Sequence, residues 1–209
     1  TLEKIAIEIR NLQRTEIAEV SEHFKKGQMG SSAVPVKRNP IKSERISSLS
    51  KLLRSQISTS FENIPLWHER DLSNSANERF ILPMTSILLD EMLETMIRII
   101  TNLQVNAKRV KENLYITKGQ IFAEFVLEAL IKKGVPRFKA YRDVQRVAFE
   151  AQKKEINYID ALTNDKIISS ILSDNEIKSI FVAEKHLGAS LTIINNVEKH
   201  VRASAKKFF

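Results

Sequence analysis

The chain has 209 residues, 43% of them hydrophobic and none of them cysteine, with 33 Lys and Arg against 25 Asp and Glu. This composition excludes a disulfide framework, a thiolate metal site and a cysteine nucleophile, and it is too apolar for a disordered chain. A formal net charge of +8 favours an anionic partner, nucleic acid or a phosphorylated metabolite, without choosing between them.

Apolar residues recur at three- and four-residue spacing through nearly every long segment, so the expected class is all-α. The opening stretch TLEKIAIEIRNLQRTEI mixes charge and apolar residues too evenly for a signal peptide. No apolar run approaches the roughly 20 residues that span a bilayer. The expectation is a cytoplasmic protein without a membrane contact.

In chain order, the spacing predicts a first amphipathic helix over 2–17. The stretch GSSAVPVKRNP at 30–40 follows, and its Gly30, Pro35 and Pro40 make it a loop. A helix is expected over 41–62, with Pro40 suited to its first turn. From about Ile87 to Leu114, Leu89, Met92, Leu93, Met96, Ile97, Ile100 and Leu103 cover a wide apolar face, which suits a long-helix bundle. Shorter helices follow over 118–133, ended by Gly134, over 136–154, near 158–163 and 174–181, and from about 188. The expected organisation is a bundle domain over 1–113 and a smaller helical domain over 114–209. Between Lys132 and Lys154 there are eight Lys or Arg against Asp143 and Glu150, but they are spread around a helical pattern, as on a solvated face.

Two stretches have the makings of a site. In the 30–40 loop, Ser31 and Ser32 supply hydroxyls and Lys37, Arg38 and Asn39 supply cationic and amide donors, beside the N-terminus of the 41–62 helix. Such a set favours negative charge, so it suits binding a carboxylate or activating a serine; a flexible basic linker has the same composition. In LWHERDLSNSANER, 66–79, Ser75 and Arg79 lie at i and i+4 and share a helical face, with Arg70 upstream. They suit one anion. The plainer reading has Ser73 or Asn74 capping a helix and Arg70 and Arg79 pairing with Glu69 and Glu78. His68 is the sole histidine near either stretch, and no HExxH, P-loop or GxGxxG occurs. Neither a metal nor a nucleotide cofactor is expected.

GSSAVPVKRNP resembles the signature loop of the fumarase/aspartase superfamily, commonly GSSxMPxKxNP. With IKSER after it, and with LWHERDLSNSANER, LQRTEIAEVSEHF and FVLEALIKKGVPRFKAYRDVQRVAFEA, the chain is similar to the adenylosuccinate lyases within that superfamily. Val34 departs from the usual methionine, and Val36 stands at a variable place.

The resemblance implies a loop that closes on substrate and carries Ser31 as general base. It implies Lys37 and Asn39 on the substrate carboxylates, Ser32 beside them, and Glu44 supporting the site. Arg70, Leu72, Ser75 and Arg79 would hold the nucleotide part, with Ser75 and Arg79 on its phosphate. The implied reaction cleaves adenylosuccinate to AMP and fumarate, together with the related succinyl-aminoimidazole carboxamide ribotide, in a homotetramer that binds no nucleic acid. Members are roughly twice this length, so the chain resembles the later part of the central domain plus the C-terminal domain. The general-acid histidine is then expected outside this sequence, and the chain is expected to be inactive alone. Another superfamily lyase, such as one acting on argininosuccinate, or a basic helical binding module are the alternatives.

Overall fold

A computed structural model describes residues 1–208 other than 26, 30 and 32, without the side chains of 207 and 208. The described residues fall into two compact units, Thr1–Asn113 and Leu114–Phe209. Helices dominate both. The first unit contains α1 (Leu2–Leu12), β1 (Val20–Ser21), α2 (Ile41–Glu62), α3 (Ser75–Thr101) and β2 (Gln104–Val105), followed by α4 (Ala107–Leu114).

Ala6 and Ile9 of α1, Ile46 of α2, and Met92, Met96 and Ile99 of α3 form the core of this unit. The α2–α3 pair is antiparallel: Arg45 meets Glu91, while Asn63, past the end of α2, meets Asn77 in the first turn of α3. With a rise of 1.5 Å per residue, the 22 residues of α2 separate its two ends by about 33 Å. That length governs where the site residues fall.

Three expected helices have other bounds; the one expected over 118–133 begins only at Ala123, after a 3₁₀ turn at Gln120–Phe122, and the other two are in the first unit. The first stops at Leu12, not near 17, and the chain turns through Ala18, at φ 52°, into β1. Ile17 prolongs the helical apolar pattern, yet its carbonyl accepts hydrogen bonds from Arg109 and Asn113, and β1 pairs antiparallel with β2, Val20 opposite Val105. Long-range hydrogen bonds override the local periodicity here.

The long helix runs Ser75–Thr101 in place of 87–114, passing through Pro83. Proline there deprives the Arg79 carbonyl of its helical partner. The pattern past Thr101 is interrupted because the chain extends into β2 and then restarts, with Asn106 Oδ1 accepting from the Arg109 N–H at 3.1 Å. α3 is apolar on most sides: it buries Ile81, Met92, Met96 and Ile99 but exposes Leu82, Ile87, Leu89, Leu93, Ile97 and Ile100. A helix of this kind is built to be covered on more than one face.

The second unit packs α5 (Ala123–Lys132), α6 (Arg137–Lys153), α7 (Tyr158–Asn164), α8 (Lys166–Ser169) and α9 (Asp174–Ile180) around Leu130, Val147, Tyr158, Leu162, Ile168 and Ile177. α10 (Ser190–Phe208) comes last. Gly134 ends α5 at φ +88°, where the Gly134 N–H donates to Ile131 O and the Val135 N–H to Leu130 O, the paired bonds of a Schellman stop. Gly119 sits at φ +90°, and a Cβ on it would lie 2.7 Å from Phe181 Cε1. Among the described residues no helix is long and apolar enough to cross a membrane.

Candidate active site

The first stretch of interest leaves β1 and returns at α2. Lys37, Asn39 and Glu44 line one open cleft with Arg10, Asn11, Gln13 and Arg14 of α1 and the turn after it. Its volume is about 550 Å³. Lys37 is exposed and Asn39 half-buried, where the loop enters α2; Glu44 lies in the first turn of that helix. Three cationic side chains therefore share a concave surface, an arrangement that draws in an anion.

Arg10 and Arg14 were not anticipated from sequence. In sequence their i, i+4 spacing reads as one helical face, which nothing local distinguishes from the charged side of an amphipathic helix; in the structure Arg10 lies in the last turn of α1 and Arg14 in the turn past its Gln13 cap. Arg10 also donates to Ser47 Oγ at 3.2 Å, and Arg14 pairs with Glu16 at 3.4 Å.

Ser31 is half-buried on the outer part of the loop, and the residues lining the cleft do not include it. Its Oγ accepts from the N–H groups of Ala33 at 3.3 Å and Val34 at 3.2 Å. Donors on a hydroxyl oxygen favour its anionic form. Beyond them the loop turns, with the Lys37 N–H donating to Val34 O at 3.1 Å. Ser32, the other hydroxyl singled out, lies outside the described residues, as does Gly30.

The N-terminus of α2 departs from what the sequence suggested. It is filled from within the chain: the buried Glu22 carboxylate accepts from the Lys42 N–H at 3.3 Å, and from the Ser43 N–H and Ser43 Oγ at 2.7 Å each. These amides are unavailable to an external anion. The acidic residue nineteen positions before the helix carries no local capping signature, so sequence spacing could not reveal it.

The second stretch is organised around Asp71. Its carboxylate accepts from the Trp67 N–H and the Ser73 N–H at 2.8 Å and from Ser73 Oγ at 2.6 Å. These bonds, the Ser73 hydroxyl foremost, hold the carboxyl below its ordinary range. Wrapped around it, the loop places His68 at φ 51° and leaves Arg70 and Leu72 exposed. Ser75 opens α3, and Arg79 stands one turn later on the same face, exposed.

Asn74 occupies the N-cap position without a side-chain cap bond; its amide donates instead to Glu78 at 3.1 Å. Among the described residues no ion pair engages Arg70 or Arg79, so the local pairing with Glu69 and Glu78 does not form. Both guanidinium groups face solvent. The two stretches lie near opposite ends of α2, on the order of 30 Å apart by helical rise. One chain does not unite them.

Among the described residues there is no group of three or more His, Cys, Asp or Glu placed to hold a metal ion. The acid and base groups in play are those named above.

Comparison with known proteins supplies the context. A family model for the adenylosuccinate lyase C-terminus matches residues 119–197, and one described as lyase matches residues 1–52. The chain is 41% identical over 95% of its length to adenylosuccinate lyase of Thermotoga maritima, and 40% identical over 99% to that of Pyrococcus abyssi. It spans about half the length of these curated relatives, 46% of each. Among solved structures, 3-carboxy-cis,cis-muconate lactonizing enzyme from Pseudomonas putida superposes with a TM-score of 0.81 at 26% identity, over 96% of this chain and 44% of that one.

Proposed function

We propose that this chain, which belongs to the adenylosuccinate lyase family and corresponds to the C-terminal portion of its members, supplies the base, the carboxylate-binding groups and the phosphate-binding groups of a fumarate-releasing lyase. The substrate is adenylosuccinate, with succinyl-aminoimidazole carboxamide ribotide as the related one. The reaction is cytoplasmic and needs no cofactor.

In this reading the Ser31 alkoxide takes a proton from the methylene carbon of the succinyl group. Negative charge builds on the neighbouring carboxylate, where Lys37 and Asn39 stabilise it. The C–H electron pair becomes the double bond of fumarate and the C–N bond breaks towards nitrogen, which an acid from another segment protonates to complete AMP. Glu44 orients the acid–base partner. Ser32 adds a hydroxyl beside the carboxylates. Arg70 and Leu72 hold the purine nucleotide, and Ser75 and Arg79 bind its phosphate through a hydroxyl and a planar guanidinium.

A separation on the order of 30 Å along α2 means that the loop of one copy works with the 70–79 stretch of another. The apolar residues that α3 exposes, among them Leu89, Leu93 and Ile97, give a surface on which copies associate as a homotetramer. The observation that carries the reading is the shared cleft of Lys37, Asn39 and Glu44 in a chain 41% identical to a lyase of this name.

The test is turnover of adenylosuccinate by the intact natural protein, followed as loss of substrate absorbance with fumarate and AMP quantified. Equimolar products at a kcat of about 1–10³ s⁻¹ are expected. No turnover of adenylosuccinate would overturn the reading.

A further inference from the structure

The loop that bears Ser31 is tied at both of its stems by one side chain that the loop does not contain. Gln13, at the C-terminal cap of α1, accepts through Oε1 from the Glu22 N–H at 2.8 Å and donates through Nε2 to Arg38 O at 2.9 Å. Only a side chain with an acceptor and a donor on one planar group makes both bonds at once. Glutamate, leucine and methionine of similar length cannot.

Two further contacts close the same neck. The Glu22 carboxylate is bound to the Lys42 and Ser43 N–H groups and to Ser43 Oγ, which fixes the outgoing stem to α2. The Arg38 guanidinium lies 5.5 Å from the centroid of the Phe24 ring, within cation–π range. Beyond this neck the apolar side chains Met29, Val34 and Val36 face solvent, at 75%, 46% and 86% exposed, while Ser31 is half-buried.

We propose that Gln13 is a positioning residue that sets the pivots of the serine-bearing loop at Glu22 and Arg38. This rests on reading Ser31 as the base of the lyase reaction. With the neck held, Lys37 and Asn39 stay at the cleft they line, and movement of the loop carries Ser31 towards it. With the neck released, the approach of Ser31 to the reacting carbon is no longer defined. A misplacement of about 1 Å costs up to about 10²-fold in rate, while the groups that bind substrate stay where they are.

Gln13→Ala and Gln13→Glu in the intact natural protein test this. Hydrogen exchange of peptides covering 20–24 and 38–43 should rise in both variants, with the circular dichroism unchanged. On adenylosuccinate, kcat should fall about 10- to 100-fold with KM within about twofold, because the loss is confined to the reacting step. The Glu variant adds a pH signature. Its carboxyl, ordinarily titrating near about 4.3, regains a donor for Arg38 O when protonated, so its deficit should narrow from pH 8 to pH 5 while that of the Ala variant does not.

Turnover within twofold of the unaltered protein in both variants overturns the proposal, whatever exchange shows. If the unaltered protein fails to turn over adenylosuccinate, the function reading falls by itself. Exchange then decides the clamp: faster exchange at 20–24 and 38–43 supports it, and unchanged exchange overturns it.

Discussion

The loop with Ser31 and the stretch around Asp71 carry the proposed chemistry in equal measure, yet they are held in opposite ways. The first is fastened at its neck, through Gln13, Glu22 and Ser43, and its outer side chains touch little. The second is fastened through its middle: Asp71 gathers Trp67 and Ser73, and reciprocal amide bonds of 2.8 and 2.7 Å join Asn63 and Asn77. A phosphate site works by donors aimed in advance, which costs no reorganisation on binding. A base that must reach a carbon after substrate has entered needs room to travel instead. The difference in anchoring suits the two tasks proposed for these stretches.

The largest expected effect breaks that comparison on the side of chemistry. In the intact protein, Ser31→Ala should lower kcat by about 10²–10⁴-fold while KM changes little, as for a group needed mainly in the transition state. A parallel rise in KM would reassign Ser31 to binding. On the side of anchoring, Glu22→Ala leaves the N–H and Oγ of Ser43, which is 0% exposed, without an acceptor. Each such orphan costs about 1–3 kcal/mol, so denaturant unfolding should show a loss of about 3 kcal/mol. Smaller again, Arg79→Ala should raise KM for adenylosuccinate about 10- to 100-fold, the worth of a charge-assisted hydrogen bond. With kcat nearly unchanged, it would mark the second stretch as a binding element.

The sequence displayed one side of this contrast and hid the other. Helix class and most bounds in the second unit were legible because glycine and proline punctuate it locally, at Gly134 and Pro136. The resemblance of GSSAVPVKRNP and LWHERDLSNSANER pointed to Ser31, Lys37, Arg70 and Arg79 as residues of interest, and their roles await the measurements above. What escaped was tertiary. Gln13 and Arg38 are 25 residues apart and Glu22 and Ser43 are 21 apart, so no periodicity connects them. α1 ended early, and α3 broke at Thr101, because β1 and β2 pair across more than eighty positions. Arg10 and Arg14 were visible as charges, but only the tertiary fold brings the last turn of α1 and the turn after it to one cleft.

The smallest expected effect sharpens the comparison by pH. The Asp71 carboxyl is held below its ordinary range, chiefly by the Ser73 hydroxyl and then by the Trp67 and Ser73 N–H groups. A carboxyl whose folded pKa is depressed binds its proton more weakly when folded, so its contribution is present above the unfolded value of about 3.9 and is lost as pH falls through the folded one. Trp67 is the one tryptophan in the chain and is 79% exposed, so its fluorescence anisotropy reads the order of this loop directly. The anisotropy should hold from pH 7 to about 5 and fall towards pH 2 as Asp71 is protonated. Asp71→Asn, which removes the charge but keeps one acceptor oxygen, should begin lower at pH 7 and stay nearly flat, so that the two curves meet at acid pH. Curves that run parallel throughout would mean that the loop is held by something other than this carboxylate, and the anchoring that distinguishes the second stretch from the first would lose its cause.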